Sequence, residues 1–207
     1  MTEFAINYTK NQQILKACDD LLFYIPDFLG QSSDRYFELC TNLRTWKQEK
    51  ISIYGKKHPL PRLTLWYSKE GLTYYYSGIK MIPKRYPKVI EALSEKVCNV
   101  TNLYFNSVLL NKYRNGSDKV GWHRDNEKCL GKIVNIATIS LGAPRTFLAK
   151  RLNKKETFDL VLKHGSLLIM QHPFQDDWTH SLPARPRVRQ SRISLTFRKI
   201  EKIRECV

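Results

Sequence analysis

His123 and Asp125, in the run GWHRDN, stand two residues apart. In an extended segment that spacing turns both side chains to one face, where they can reach a single metal ion. His180, in WTHSLP, could complete the set from a neighbouring strand. Two histidines and a carboxylate on one face of an octahedron leave three positions open, which suits iron(II) with a chelating co-substrate and dioxygen. An isolated HxD also reads as a histidine capping a turn and an aspartate opening the next loop. Arg192 and Arg198 shift that balance, because they sit six apart in RISLTFR and share a strand face. Two guanidinium groups beside a metal suit a dicarboxylate, which arginine grips as a planar fork. Ile193, Leu195 and Phe197 alternate with Arg192, Ser194, Thr196 and Arg198, so the polar face either meets water or lines a polar interior.

The elements that must position these residues follow from periodicity. From residue 103 onward, short β-rich runs recur at fairly even spacing: LYFNSVLLNKY, IVNIATISLG, TFLAK, TFDLVLK, GSLLIMQ and RISLTFRKI. Gly, Pro, Asn and Asp separate them, a rhythm that predicts a β-sandwich or barrel rather than a βαβ sheet. Upstream, one amphipathic helix is predicted from Ser32 or Ser33 through Tyr36, Phe37, Leu39, Cys40, Leu43 and Trp46. A second is predicted from Pro87 to Val97, with Val89, Ile90, Leu93 and Val97 on one face. Between them, ISIYGKKHPLPRLTLWYS reads as a hairpin around a basic, turn-rich centre with Gly55, Pro59 and Pro61. His58, His164 and His172 fall outside the metal pattern; His164 and His172 are read as structural or as neighbours of the ligands, and Trp122 and Trp178 as barrel packing.

At 207 residues the chain fits one structural domain. Residues 1–100 form an N-terminal layer of helices and hairpins, 101–200 the β core, and 201–207 a polar tail. Lys and Arg outnumber Asp and Glu by 35 to 19, a formal charge of +16 that points to a polyanionic partner. Nucleic acid is the commonest, since each neutralised phosphate releases a condensed counterion; an anionic membrane surface or acidic protein is the other option. There is no signal-peptide pattern at the start and no apolar run near the roughly 18 residues a span requires, so a soluble intracellular protein is expected. The five cysteines are scattered without CxxC spacing and read as reduced thiols.

Taken together, NKYRNGSDKVGWHRDNE, HGSLLIMQHP, WTHSLP and RISLTFRKI, with LTYYYSG upstream, resemble the AlkB-type dealkylating dioxygenases. The branch acting on double-stranded DNA in animals is the nearest in pattern, and the resemblance covers roughly residues 50 to 200. It implies a mainly β, α+β fold: a double-stranded β-helix (jelly-roll) core with N-terminal helices and a nucleotide-recognition hairpin. It implies Fe(II) held by His123, Asp125 and His180, with 2-oxoglutarate and dioxygen as co-substrates. Asn111, Tyr113 and Arg192 resemble the set that holds the distal carboxylate, Arg198 resembles the partner of the keto-acid end, and Thr196 lies between the arginines.

The same resemblance places Tyr74, Tyr76, Ser77 and Glu127 around a flipped base, where aromatic stacking accepts any base identity. Tyr54 falls where duplex-specific relatives carry an intercalating Phe, and Lys56, Lys57 and Arg62 are expected on phosphate. Asn126 departs from the second acidic residue of those relatives. The implied activity is oxidative demethylation of N-alkylated bases such as 1-methyladenine and 3-methylcytosine, with duplex DNA favoured and single-stranded DNA or RNA the alternative. A non-catalytic nucleic-acid binder and a protein hydroxylase are competing readings; the second leaves the charge and the base-pocket match unexplained. The chain is expected to act as a monomer without an obligate partner, in the nucleus if eukaryotic and the cytoplasm if bacterial.

Overall fold

The computed structural model describes residues 14–53, 55–69, 72, 74–76 and 79–201. The chain opens with β1 (Leu15–Ala17), β2 (Leu22–Ile25) and helix α1 (Ser33–Thr41). Next come β3 (Lys50–Ile53), β4 (Lys56–Pro59), β5 (Leu63–Ser68), β6 (Tyr74–Tyr76), β7 (Ile79–Met81) and helix α2 (Lys88–Thr101). The β-rich half holds β8 (Ser107–Tyr113), β9 (Val120–His123), β10 (Ile136–Gly142), β11 (Arg145–Arg151), β12 (Thr157–Leu162) and β13 (Ser166–Met170). A single helical turn, α3 (Phe174–Asp177), precedes β14 (Trp178–Leu182) and β15 (Arg192–Arg198).

These strands make a seven-stranded sheet in the order β1-β2-β13-β10-β15-β8-β5 and a four-stranded sheet in the order β12-β11-β14-β9. All their pairings are antiparallel. The expected β core is thus borne out, with helices added to it. Ile90, Leu93 and Val97 of α2 and Cys40 of α1 pack with Ile139, Ile193, Leu195 and Phe197 on one face of the large sheet. On its other face Leu109, Ile136, Leu168 and Met170 meet Phe147, Ala149, Trp178 and Leu182 of the small sheet.

The alternation in β15 explains how one strand serves both layers. Ile193, Leu195 and Phe197 are fully buried toward the helices. Each such side chain contributes about 1.5–3 kcal/mol relative to exposure. Arg192, Ser194, Thr196 and Arg198 point the other way and are also buried, lining a cavity between the sheets. The polar face therefore lines an interior rather than meeting water.

Several element boundaries differ from the sequence reading. α1 stops at Thr41, where Asn42 N–H donates to the Glu38 carbonyl, so Leu43 and Trp46 lie beyond it and pack on the core from a loop. α2 runs one turn past Val97 to Thr101 and ends at Asn102 in the left-handed region. The predicted single hairpin is split: β3 pairs β4 across Gly55, whereas β5 leaves to pair with β8 in the large sheet. Trp178 is buried as expected, but Trp122, on the edge strand β9, is half exposed.

Candidate active site

The small sheet brings the two histidines together. His123 on β9 and His180 on β14 are direct cross-strand partners, with ring centroids 4.2 Å apart. Phe147 stacks on His180 at 5.5 Å and fixes its ring. His123 Nδ1 lies 2.9 Å from the Gly121 carbonyl, which selects the tautomer that leaves Nε2 with a lone pair. Burial, with His123 and Arg198 nearby, pushes the His180 imidazole down to about 3, so it is neutral at physiological pH, as a metal ligand must be.

Asp125 lies past the end of β9, in a loop rather than on the strand. Its backbone N–H donates to Gln175 Oε1 at 3.0 Å, which ties that loop to α3. Burial alone would push its carboxyl up, but the Arg198 guanidinium and the two imidazoles hold it below the ordinary carboxylate value. Arg198 Nη2 donates to Asp125 Oδ2 at 2.9 Å. Among the described residues no three His, Cys, Asp or Glu side chains already stand at metal-ligand spacing. The donor set nonetheless fits iron(II). Asp125 Oδ1 and His180 Nδ1 are buried with no hydrogen-bond partner among the described residues, a condition that native interiors rarely leave unexplained.

The large sheet supplies the other wall. Tyr113 and Asn111 on β8 stand opposite Arg192 and Ser194 on β15, and Ser140 on β10 stands opposite Ser194 from the other side. Arg192 Nη2 donates to Ser140 Oγ at 2.8 Å, and its guanidinium carbon lies 5.2 Å from the Tyr113 ring centre. Arg192 Nε is buried without a hydrogen-bond partner among the described residues. Thr196 faces Thr138 across the β10–β15 pair, with hydroxyl oxygens 3.5 Å apart.

Arg62 corrects an expectation. Its residue is 3% exposed, its Nε donates to Asn111 Oδ1 at 2.8 Å, and it lines the cavity, so it is not a surface contact for phosphate. The reason is that β5 pairs with β8, placing Arg62 just ahead of a strand beside Asn111. Sequence reasoning also passed over Ser140, Gln175 and Arg145. The only signal available for Arg145 was a charged residue opening an apolar run, TFLAK.

The cavity lining is rich in arginine. Arg62, Arg192 and Arg198 line it and are each at most 3% exposed, with Asp125 the buried acid on the same lining. A dicarboxylate suits such a lining, since arginine grips a carboxylate as a planar fork.

The remaining expected residues are less tightly placed. Glu127 is half-buried at the start of a short turn over Lys128–Leu130. Lys56 and Lys57 are exposed on β4. Tyr74 and Tyr76 lie on β6, but their side chains, like Tyr54 and Ser77, fall outside the described residues.

A family model described as "2OG-Fe(II) oxygenase superfamily" matches residues 22–198, which includes the small sheet, the large sheet apart from β1, and all the cavity residues named above. The chain belongs to this superfamily. Within it, it is an AlkB-type oxygenase. It is 42% identical over 159 residues to the Mus musculus protein named DNA oxidative demethylase ALKBH2, covering 73% of this chain and 66% of that one. It is 39% identical over 173 residues to Alpha-ketoglutarate-dependent dioxygenase alkB homolog 3 of Mus musculus, covering 79% and 59%. The chain thus spans less than two thirds of the length of these relatives. A solved structure titled "The structure of OsALKBH1" superposes with TM-score 0.65 at 19% identity, covering 91% of this chain and 99% of that one, a likeness of fold alone. For this AlkB-type oxygenase the family carries Fe(II) as metal and 2-oxoglutarate with dioxygen as co-substrates. No helix among the described residues is long and apolar enough to cross a membrane.

Proposed function

We propose that this chain is a DNA repair dioxygenase that removes methyl groups from N-alkylated bases, 1-methyladenine and 3-methylcytosine, with duplex DNA as the favoured substrate. The observation that carries the reading is the cavity between the sheets, where His123, Asp125 and His180 share one lining with the buried Arg62, Arg192 and Arg198. Iron(II) with 2-oxoglutarate and dioxygen would supply the oxidation, in which the methyl group leaves as formaldehyde and the co-substrate becomes succinate and CO2. His123, Asp125 and His180 would hold the metal. Arg192, with Asn111 and Tyr113, would take the distal carboxylate, and Arg198 would face the keto-acid end while steadying Asp125. Phe147, Leu109 and Leu182 give the same space an apolar flank, which would help keep water from the reacting group.

The choice of DNA is supported by the +16 charge and by the likeness to DNA oxidative demethylases. For duplex, the support is the sequence Tyr54-Gly55-Lys56-Lys57, whose aromatic residue could fill the gap left by a flipped base. The test uses duplex and single-stranded oligonucleotides bearing either lesion, incubated with and without 2-oxoglutarate. Replacement of methyl by hydrogen should appear by mass in duplex, and only with 2-oxoglutarate. Faster repair of single strands would move the substrate, and no repair with no formaldehyde would leave a nucleic-acid binder. Tyr54→Ala should lower activity on duplex much more than on single strands; equal losses would remove the wedge from the account.

A further inference from the structure

We infer that Arg145 is a positioning residue for the co-substrate end of the cavity, acting through Tyr113. This rests on the dioxygenase reading above. Arg145 opens β11 and is 2% exposed, yet it is not among the residues lining the cavity. Its guanidinium makes bonds to backbone carbonyls: Nη1 to Asn115 at 3.2 Å, and Nη2 to Asp118 at 2.8 Å and to Pro183 at 2.7 Å. These carbonyls belong to two loops, one joining β8 to β9 and one following β14. The loops also meet directly, with Gly116 N–H donating to the Val188 carbonyl at 2.8 Å and Arg185 N–H to the Gly116 carbonyl at 2.6 Å.

Bracing alone does not call for a cation here. The loops are already joined through their backbones, and a neutral amide could serve some of the same carbonyls. Burying a guanidinium is unfavourable unless its charge is used. The Asp118 carboxylate is gripped at both oxygens by Arg114, so it is not a dedicated partner for Arg145. Nε of Arg145 has no hydrogen-bond partner among the described residues. What the charge does meet is an aromatic ring: the guanidinium carbon lies 5.7 Å from the centre of Tyr113. Tyr113 is thus held by two guanidinium groups, Arg145 from outside the cavity and Arg192 from within it. Cation–π attraction strengthens where water is excluded, as at this buried tyrosine. Arg145 therefore fixes the ring, and the ring carries the hydroxyl toward the carboxylate subsite of Arg192.

The test titrates 2-oxoglutarate into protein loaded with manganese(II), reading thermal unfolding, and separately measures KM and kcat. Arg145→Gln keeps amide donors for the carbonyls but loses the charge and the guanidinium plane. It should need about tenfold more 2-oxoglutarate for the same rise in Tm, with KM for 2-oxoglutarate raised more than kcat is lowered. Arg145→Lys, which keeps the charge, should fall between Arg145→Gln and wild type, and it preserves the test should Arg145→Gln fold poorly. In a Tyr113→Phe background either substitution should add little further loss, because the hydroxyl being positioned is gone. Wild-type affinity in both variants, or an equal added loss with and without the Tyr113 hydroxyl, would overturn the inference. A wild-type protein with no 2-oxoglutarate-dependent rise in Tm would instead overturn the dioxygenase reading.

Discussion

Each ligand candidate in the cavity depends on one or two neighbours that hold it. His123 is oriented by the Gly121 carbonyl, His180 by the stacked Phe147 ring, and Asp125 by Gln175 through its backbone and Arg198 through its carboxylate. Gln175 is the least redundant of these, because Asp125 stands outside any strand and has no ladder to fix it. Gln175→Ala should therefore lower manganese(II) affinity about 10–100-fold, the usual effect of removing a group that orients a ligand, and isothermal titration would measure it. Unchanged affinity would mean that Arg198 alone sets the geometry. Both arginines were legible in the sequence from the alternation of β15, whereas His123, Asp125 and His180 stood out by the HxD spacing and the WTHSLP motif rather than by their strands. Gln175 was not, since nothing in HPFQDDWTH announces that its side chain reaches back fifty residues to Asp125.

At the scale of elements, β8 and β15 were readable from their own alternation, whereas β9 and β14 become strands through pairing with each other and with β11. Short segments of this kind carry too little periodicity to declare themselves. Likewise β5 reads as half of a hairpin until its register with β8 is known, and that register moved Arg62 from the surface to the cavity. The turn between β8 and β9 is held by Arg114, whose backbone N–H and guanidinium both donate to Asp118. Burial would push the Asp118 carboxyl up, but these bonds win and hold it below its ordinary 3.8. A lowered folded-state pKa means the stabilisation is fully present above the unfolded value and is lost as pH falls through the folded one. Asp118→Asn should accordingly cost about 1.5–3 kcal/mol at pH 7, the range for hydrogen bonds to a charged group. Urea midpoints should converge with wild type as the pH drops below about 4. A gap that persists at low pH would assign the effect to packing rather than to the ion pair.

For the whole molecule, the +16 charge divides into two populations with different work. Arg62, Arg192 and Arg198 are enclosed and line the cavity, with Arg145 buried behind Tyr113, while Lys56 and Lys57 stand exposed on the β3–β4 hairpin. Only the exposed group can displace counterions from a phosphate backbone, so salt dependence separates the two. For a protein that neutralises Z phosphates, log affinity falls with log salt at a slope of about 0.9 per phosphate. Replacing Lys56 and Lys57 together with Gln should reduce the slope for unmodified duplex by about 2, measured by fluorescence anisotropy across a salt series. Arg62→Gln should leave that slope unchanged and raise the requirement for 2-oxoglutarate, because its partner is Asn111 inside the cavity. If Arg62→Gln lowered the slope as each lysine does, its guanidinium would have to leave Asn111 when DNA binds, and the hairpin and cavity would be coupled rather than separate.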